Sequence, residues 1–219
     1  MSDLPKHARV VIIGAGIVGN SVAYHLAKLG WKDMVMVDKG PLPNPGGSTG
    51  HASNFIFPVD HSKVMTQLTL DSMAQYKKLG VFRESGGIEL ARKPERMEEL
   101  KRRMASAKAW GIEASLVSPD EVKKLFPWVN TDSIIGGFYS PTVGVVDSLR
   151  AGTMMRDAAK EMGALSVFTH TEITGVDVED GRVSGLQTNK GKILADYVII
   201  CCGVWSPKIA KMAGASMAL

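Results

Sequence analysis

Val10-Val11-Ile12-Ile13-Gly14-Ala15-Gly16-Ile17-Val18-Gly19, followed after a helical stretch by Met34-Val35-Met36-Val37-Asp38, decides the fold. Val10 to Ile13 is a β-branched run that reads as a buried strand. Gly14, Gly16 and Gly19 then form GxGxxG. Asn20 to Leu29 has helical periodicity, with Ala23, Leu26 and Leu29 on one face. Gly30 stops that helix, Met34 to Val37 is a second apolar strand, and Asp38 closes it. Strand, helix and strand within about 30 residues make parallel neighbours joined by a right-handed crossover. Each part of the turn has a task in holding a dinucleotide. Gly14 allows a tight turn, Gly16 lets the backbone approach a pyrophosphate, and Gly19 lets the helix lie against the strand. The helix start, at Ile17 and Val18, offers unpaired N–H groups and the positive end of the helix dipole. Asp38 can accept ribose hydroxyls, and its charge disfavours the 2′-phosphate of NADP.

Outward from this turn, Gly40 to Gly50 is a loop by composition. Helices are expected over Ser62 to Leu79 and over Pro94 to Trp110, and another opens at Ser118. There Glu121 completes a capping box and Pro119 takes the first helical position. Gly87 to Ala91, Ser115 to Val117 and Ile134 to Tyr139 read as strands. Asp147 is a good N-cap for a helix over Ser148 to Met162, which Gly163 stops. Ala164 to Thr169 is a third apolar strand. Ile173 to Val178, Val183 to Thr188 and Lys192 to Leu194 form a meander, turned at Asp180-Gly181 and at Asn189-Lys190-Gly191. Tyr197 to Cys202 is a last buried strand. Its two neighbouring cysteines, Cys201 and Cys202, point to opposite faces and are not expected to pair.

Composition agrees with a globular chain. Of its 219 residues 45% are hydrophobic and 22% charged, and the net charge is +4. The basic residues of Lys93 to Lys108 alternate with glutamates, as on a solvated helix face, so no nucleic-acid patch is expected. No apolar run approaches the ~18 residues that span a bilayer. No signal-peptide core is visible either, and a cytoplasmic location is expected. CxxC, HExxH and other metal-ligand spacings are absent, so no metal is expected.

The second loop selects the cofactor. After Asp38-Lys39-Gly40 comes Gly46-Gly47-Ser48-Thr49-Gly50-His51-Ala52-Ser53. A Gly/Ser-rich loop so soon after the ribose-binding acid can wrap a pyrophosphate and reach a flavin. An NAD enzyme usually turns directly into another helix, so FAD is expected. GSTGHASNF, from Gly47 to Phe55, resembles the GSTWHAAGL string of the D-amino-acid-oxidase-like flavoproteins. Within them the likeness is to dimethylglycine and sarcosine dehydrogenases and dimethylglycine oxidases. It continues at Val145-Val146-Asp147, at Thr171-Glu172-Ile173-Thr174 and at Cys202-Gly203-Val204-Trp205, which is similar to an AAGxW pattern. Gly50 and Asn54 depart from it, standing where relatives often have an aromatic residue and a glycine.

The resemblance implies an α/β fold: a Rossmann-like FAD-binding domain with a parallel sheet and β-meander, over 1–60 and 140–219. An inserted, incomplete α+β substrate region would occupy 61–139. It implies covalent attachment of the flavin to His51, backbone contact between Ile173 and adenine, and Cys202, Gly203 and Trp205 beside the cofactor. Gly14, Gly16, Ile17, Val18, Gly19, Asp38, Lys39, Gly47, Ser48, Thr49, Ala52 and Ser53 complete the expected cofactor set. The implied reaction oxidises a C–N bond of a small secondary or tertiary N-methyl amine, with oxygen or another electron acceptor. Its product yields formaldehyde or passes its carbon to tetrahydrofolate. No catalytic base can be named, and His25, His61 and His170 read as structural. By the resemblance, the substrate sheet and any folate domain lie beyond Leu219, so the chain corresponds to an N-terminal part with little turnover of its own. The alternatives are a D-amino-acid or glycerol-3-phosphate dehydrogenase with non-covalent FAD, and a non-catalytic FAD-binding subunit. An NAD-dependent dehydrogenase leaves Gly47 to Ser53 without a role.

Overall fold

The computed structural model describes residues 4–60 and 62–218. In chain order the elements begin β1 (His7–Ile13), α1 (Ile17–Lys28), β2 (Met34–Val37), β3 (Phe55–Ile56), α2 (Lys63–Lys78), β4 (Phe82–Glu84) and β5 (Gly87–Ala91). They continue α3 (Pro94–Ala109), β6 (Ser115–Val117), α4 (Pro119–Leu125), β7 (Gly136–Ser140), β8 (Gly144–Val146) and α5 (Ser148–Glu161). The last are β9 (Leu165–Phe168), β10 (Ile173–Glu179), β11 (Arg182–Thr188), β12 (Gly191–Ile200) and α6 (Ser206–Met212). The chain divides into two compact units. One ends at Ser53 and resumes at Ser148; the other is Asn54–Asp147.

The discontinuous unit is built on one six-stranded sheet, ordered β10-β11-β12-β1-β2-β9. β1 pairs in parallel with β2 and with β12, and β2 with β9. All four residues from Val10 to Ile13 are buried, because both faces of this parallel part are covered. Val11, Ile13, Val35 and Val37 pack with Leu186, Ile193 and Ile209 on one side. Val10, Ile12, Met34 and Met36 pack with Ala23, Ala27 and Ala159 on the other. The buried positions of α1 are Gly19, Asn20, Ala23 and Ala27, whereas Leu29 is exposed. Small side chains let the helix lie close to the sheet; of the expected face Ala23 is buried and Leu26 packs against the same core, while Leu29 alone turns outward.

One pairing departs from expectation. The third meander strand and the last buried strand are a single strand, β12. Its first half pairs antiparallel with β11, from Gly185↔Leu194 to Thr188↔Gly191. From Leu194 onward it pairs in parallel with β1, as far as Ile13↔Ile200. Asp196 interrupts the apolar pattern and suggests a break, but its side chain points outward to His7, 3.0 Å away, and the backbone continues. The expected Asp180-Gly181 turn is present with both residues at positive φ, 50° and 75°.

The Asn54–Asp147 unit is α+β, with two three-stranded sheets, β3-β8-β4 and β5-β7-β6. It is wider at both ends than the expected 61–139. Phe55↔Val145 and Ile56↔Gly144 tie its first strand to its last, which moves both boundaries outward. Strands of two and three residues carry no readable alternation, so sequence periodicity misses them. The expected capping box is formed. Ser118 Oγ accepts from Glu121 N at 3.3 Å, and Glu121 Oε2 accepts from Ser118 N at 2.7 Å. Ser118→Ala should therefore destabilise this unit by about 1 kcal/mol. Thermal melts of Ser118→Ala and Ser118→Asp check it, since aspartate keeps the acceptor and should lose much less.

Candidate dinucleotide site

Gly14 leaves β1 with φ +106°, and a Cβ there would stand 2.4 Å from the Cys201 carbonyl oxygen. A Cβ on Gly19 would stand 1.9 Å from the Gly14 carbonyl oxygen. The turn, the start of α1 and the end of β12 thus meet backbone to backbone, as the first and third glycines of the motif require. Gly16 is the N-cap of α1 with no side-chain cap. A Cβ on it would be 3.1 Å from Thr49 Oγ1.

Hydrogen bonds brace this turn from both later segments. Asp38 Oδ2 accepts from Ala15 N at 2.7 Å, and Asp38 Oδ1 accepts from Gly40 N at 2.8 Å. The Asp38 carbonyl accepts from Thr171 N at 2.8 Å. Asp38 therefore first holds the turn in shape, a role its place in the motif does not disclose, and each carboxylate oxygen keeps a lone pair to spare. Ile17 is also changed from its expected role. Its N–H donates to Thr49 Oγ1 at 2.9 Å, so it is not an open donor. The hydroxyl of Thr49 keeps its own proton for donation, and Ser148 Oγ holds the Thr49 carbonyl at 2.8 Å. Among the described residues, the amides of Gly16, Val18 and Gly19 have no hydrogen-bond partner.

Beside these amides lies a cavity of about 520 Å³ at the carboxyl ends of β1, β2 and β12, where ligands enter open α/β sheets. Of the expected cofactor residues it is lined by Gly14, Gly16, Ile17, Val18, Asp38, Lys39, Gly47, Ser48, Thr49, Ala52, Ile173, Cys202, Gly203 and Trp205. Gly19, His51 and Ser53 do not line it. Gly19 is consumed by helix packing. Sequence reasoning missed Pro45, Gly46, Thr171, Glu172, Cys201, Lys208 and Ile209 on its wall. Pro45 and Gly46 precede the GST string directly, and Thr171-Glu172 is in a quoted motif, so those had a local signal. Lys208 and Ile209 of α6 had none. Lys39 lies over the Trp205 ring, its Nζ 4.8 Å from the centroid. Lys39, Lys208 and the open amides give the wall a positive side, with Asp38 and Glu172 as its acids.

His51 is exposed, with Nδ1 3.0 Å from the Gly47 carbonyl oxygen. A carbonyl only accepts, so Nδ1 carries the proton and Nε2 keeps the free lone pair. His25 Nδ1 lies 2.8 Å from Ser21 O on α1, and His170 sits at φ +50° beyond β9. Neither lines the cavity, and His61 lies outside the described residues. Cys201 and Cys202 are both free and join the cores on opposite sides of the sheet. Burial, with smaller pushes from Cys201 and Asp38, raises the Cys202 thiol to about 11. It is a neutral donor, 3.2 Å from the Ile13 carbonyl oxygen. No group of three or more His, Cys, Asp or Glu among the described residues could hold a metal, and no described helix is long and apolar enough to cross a membrane.

The chain is similar to known proteins in sequence and in fold. The chain is 33% identical over 229 residues to the mitochondrial sarcosine dehydrogenase of Homo sapiens, covering 99% of this chain and 25% of that protein. It is 34% identical over 210 residues to the mitochondrial pyruvate dehydrogenase phosphatase regulatory subunit of Mus musculus, covering 93% and 24%. The chain thus spans about a quarter of the length of these relatives. The crystal structure of L-proline dehydrogenase from P. horikoshii superposes with a TM-score of 0.88 at 28% identity, over 96% of this chain and 57% of that one. Residues 9–218 match the family described as FAD dependent oxidoreductase (DAO), and the chain belongs to that family.

Proposed function

We propose that this chain is the FAD-binding part of an oxidoreductase acting on a small secondary or tertiary N-methyl amine, such as sarcosine or dimethylglycine. The observation that carries the cofactor is the glycine cradle: Gly14 and Gly16 bring bare backbone to the cavity wall, and the Gly16 amide there has no hydrogen-bond partner. A diphosphate fits this donor, the adjacent Lys39 and the helix dipole. Asp38 takes the ribose hydroxyls, and the backbone at Ile173 lies against the adenine. Bound FAD supplies the two-electron acceptor for C–N oxidation. The chain's own residues bind and orient it, and the Gly47–Ala52 loop with Trp205 covers it. The likeness to sarcosine dehydrogenase and the GSTGH string support the amine class. Oxygen or another electron acceptor, and a folate-binding domain, belong to the same proposal.

His51 is proposed as the position of covalent attachment, through the free Nε2. The test is acid precipitation of the flavin-loaded protein after gel filtration. Colour should stay in the pellet, and His51→Ala should move it to the supernatant. Colour in the supernatant of the parent chain removes the covalent assignment, and a colourless parent chain after reconstitution removes FAD itself.

A second reading is favoured by the 34% identity to a phosphatase regulatory subunit. In it the same flavin site serves a non-catalytic subunit. Bleaching of bound flavin by sarcosine or dimethylglycine under anaerobic conditions supports the first reading. Bound flavin that no amine reduces, in a protein that includes the segment holding the substrate, supports the second.

A further inference from the structure

Asn20 is on the inward side of α1 and is 3% exposed. Its Nδ2 donates to the Ala15 carbonyl at 2.8 Å. Its Oδ1 is buried without a hydrogen-bond partner. The Ala15 carbonyl fixes the amide's orientation, because turning it over would bring two acceptors together. An unmet buried acceptor is costly, and a leucine of similar volume would bring no polar atom of its own. The one bond Asn20 makes therefore points to a use.

That use lies in the peptide it grips. In a trans peptide the C=O and the next N–H point in opposite directions. Drawing the Ala15 carbonyl toward α1 turns the Gly16 N–H away from Asn20. Gly16 lines the cavity, and its N–H is one of the open donors. The peptide on the other side of Ala15 is held by Asp38 Oδ2. The two planes flanking Ala15 are thus pinned separately, one from the end of β2 and one from inside α1. Gly152 of α5 provides the room, since a Cβ there would lie 2.9 Å from Asn20 Nδ2.

We propose that Asn20 is a positioning residue for the cofactor's diphosphate, aiming the Gly16 amide through the Ala15 carbonyl, with Gly152 as the space that permits it. This deepens the FAD-binding reading above and rests on it. Asn20→Leu exchanges one unmet buried acceptor, Oδ1, for another, the Ala15 carbonyl. Apoprotein stability should therefore move little while affinity falls. Apoprotein from flavin-starved cells is titrated with FAD, read by quenching of flavin fluorescence, and its melting is followed by circular dichroism. FAD binding should weaken about tenfold, the loss expected when one donor to a charged phosphate is misdirected. Melting should shift by only a few degrees. Gly152→Ala, whose methyl displaces the end of the Asn20 side chain, should weaken binding in the same direction, and it decides the matter should Asn20→Leu not fold. Unchanged FAD affinity in the folded variants overturns the proposal and leaves the cofactor assignment standing. Failure of the parent apoprotein to bind FAD overturns both.

Discussion

Gly19→Ala is expected to remove flavin binding and to cost the discontinuous unit about 3 kcal/mol or more. The added methyl would stand 1.9 Å from the Gly14 carbonyl oxygen and 3.1 Å from its carbon. These are backbone atoms, so no rotamer change relieves the clash. Either α1 lifts from the end of β1 or the turn deforms, and each moves the amides of Gly16, Val18 and Gly19 together. Overpacking typically costs ~1–3 kcal/mol, and a contact with no flexible partner belongs at or above the upper end. For a chain of this size that corresponds to a fall in melting temperature of roughly 6–12 °C. Thermal denaturation and retention of flavin through gel filtration check both parts. A variant that melts like the parent and keeps its colour would mean that α1 does not approach the turn this closely.

Asp38→Ala should be the next most damaging change. The carboxylate accepts from two backbone amides, Ala15 at 2.7 Å and Gly40 at 2.8 Å. Hydrogen bonds to a charged acceptor are worth ~1.5–3 kcal/mol each. The site is only partly buried, so the pair together should contribute about 3 kcal/mol. Affinity should fall further than stability, because the variant also loses the proposed ribose acceptor and frees the Ala15–Gly16 turn. A weakening of about a hundredfold or more in FAD binding is expected, measured by fluorescence quenching beside a urea unfolding curve. Asp38→Asn keeps one oxygen acceptor, and its stability loss should be roughly half. Equal losses for asparagine and alanine would mean that charge, not the two-point brace, is what the turn needs.

Much of the site is legible in the sequence because its determinants are local. GxGxxG between a β-branched run and an Ala-rich helix, with an acid closing the next strand, states a βαβ dinucleotide turn through sterics at three glycines. The Ser118 and Glu121 box and the Asp180-Gly181 turn are equally local, each set by hydrogen bonds or φ values within four residues. The GSTGH string places Ser48, Thr49 and Ala52 on the cavity wall. His51, in the same loop, is exposed and tied to the Gly47 carbonyl. Leu29 misleads, since helical period alone does not say which stripe faces the sheet.

The sequence by itself determined the parallel core, the glycine turn and the Gly47–Ala52 stretch of the cavity wall, since each follows from side-chain size, backbone freedom or charge within a short window. Tertiary structure alone decided that β12 serves both the meander and the parallel sheet, and that the inserted unit is closed by strands of two and three residues. It also decided that Thr49 takes the Ile17 amide, that Lys208 reaches the cavity, and that Gly152 makes space for Asn20. All of these depend on pairs of groups far apart along the chain, and no local pattern of polarity or propensity encodes which distant partner a strand edge or a buried amide will meet.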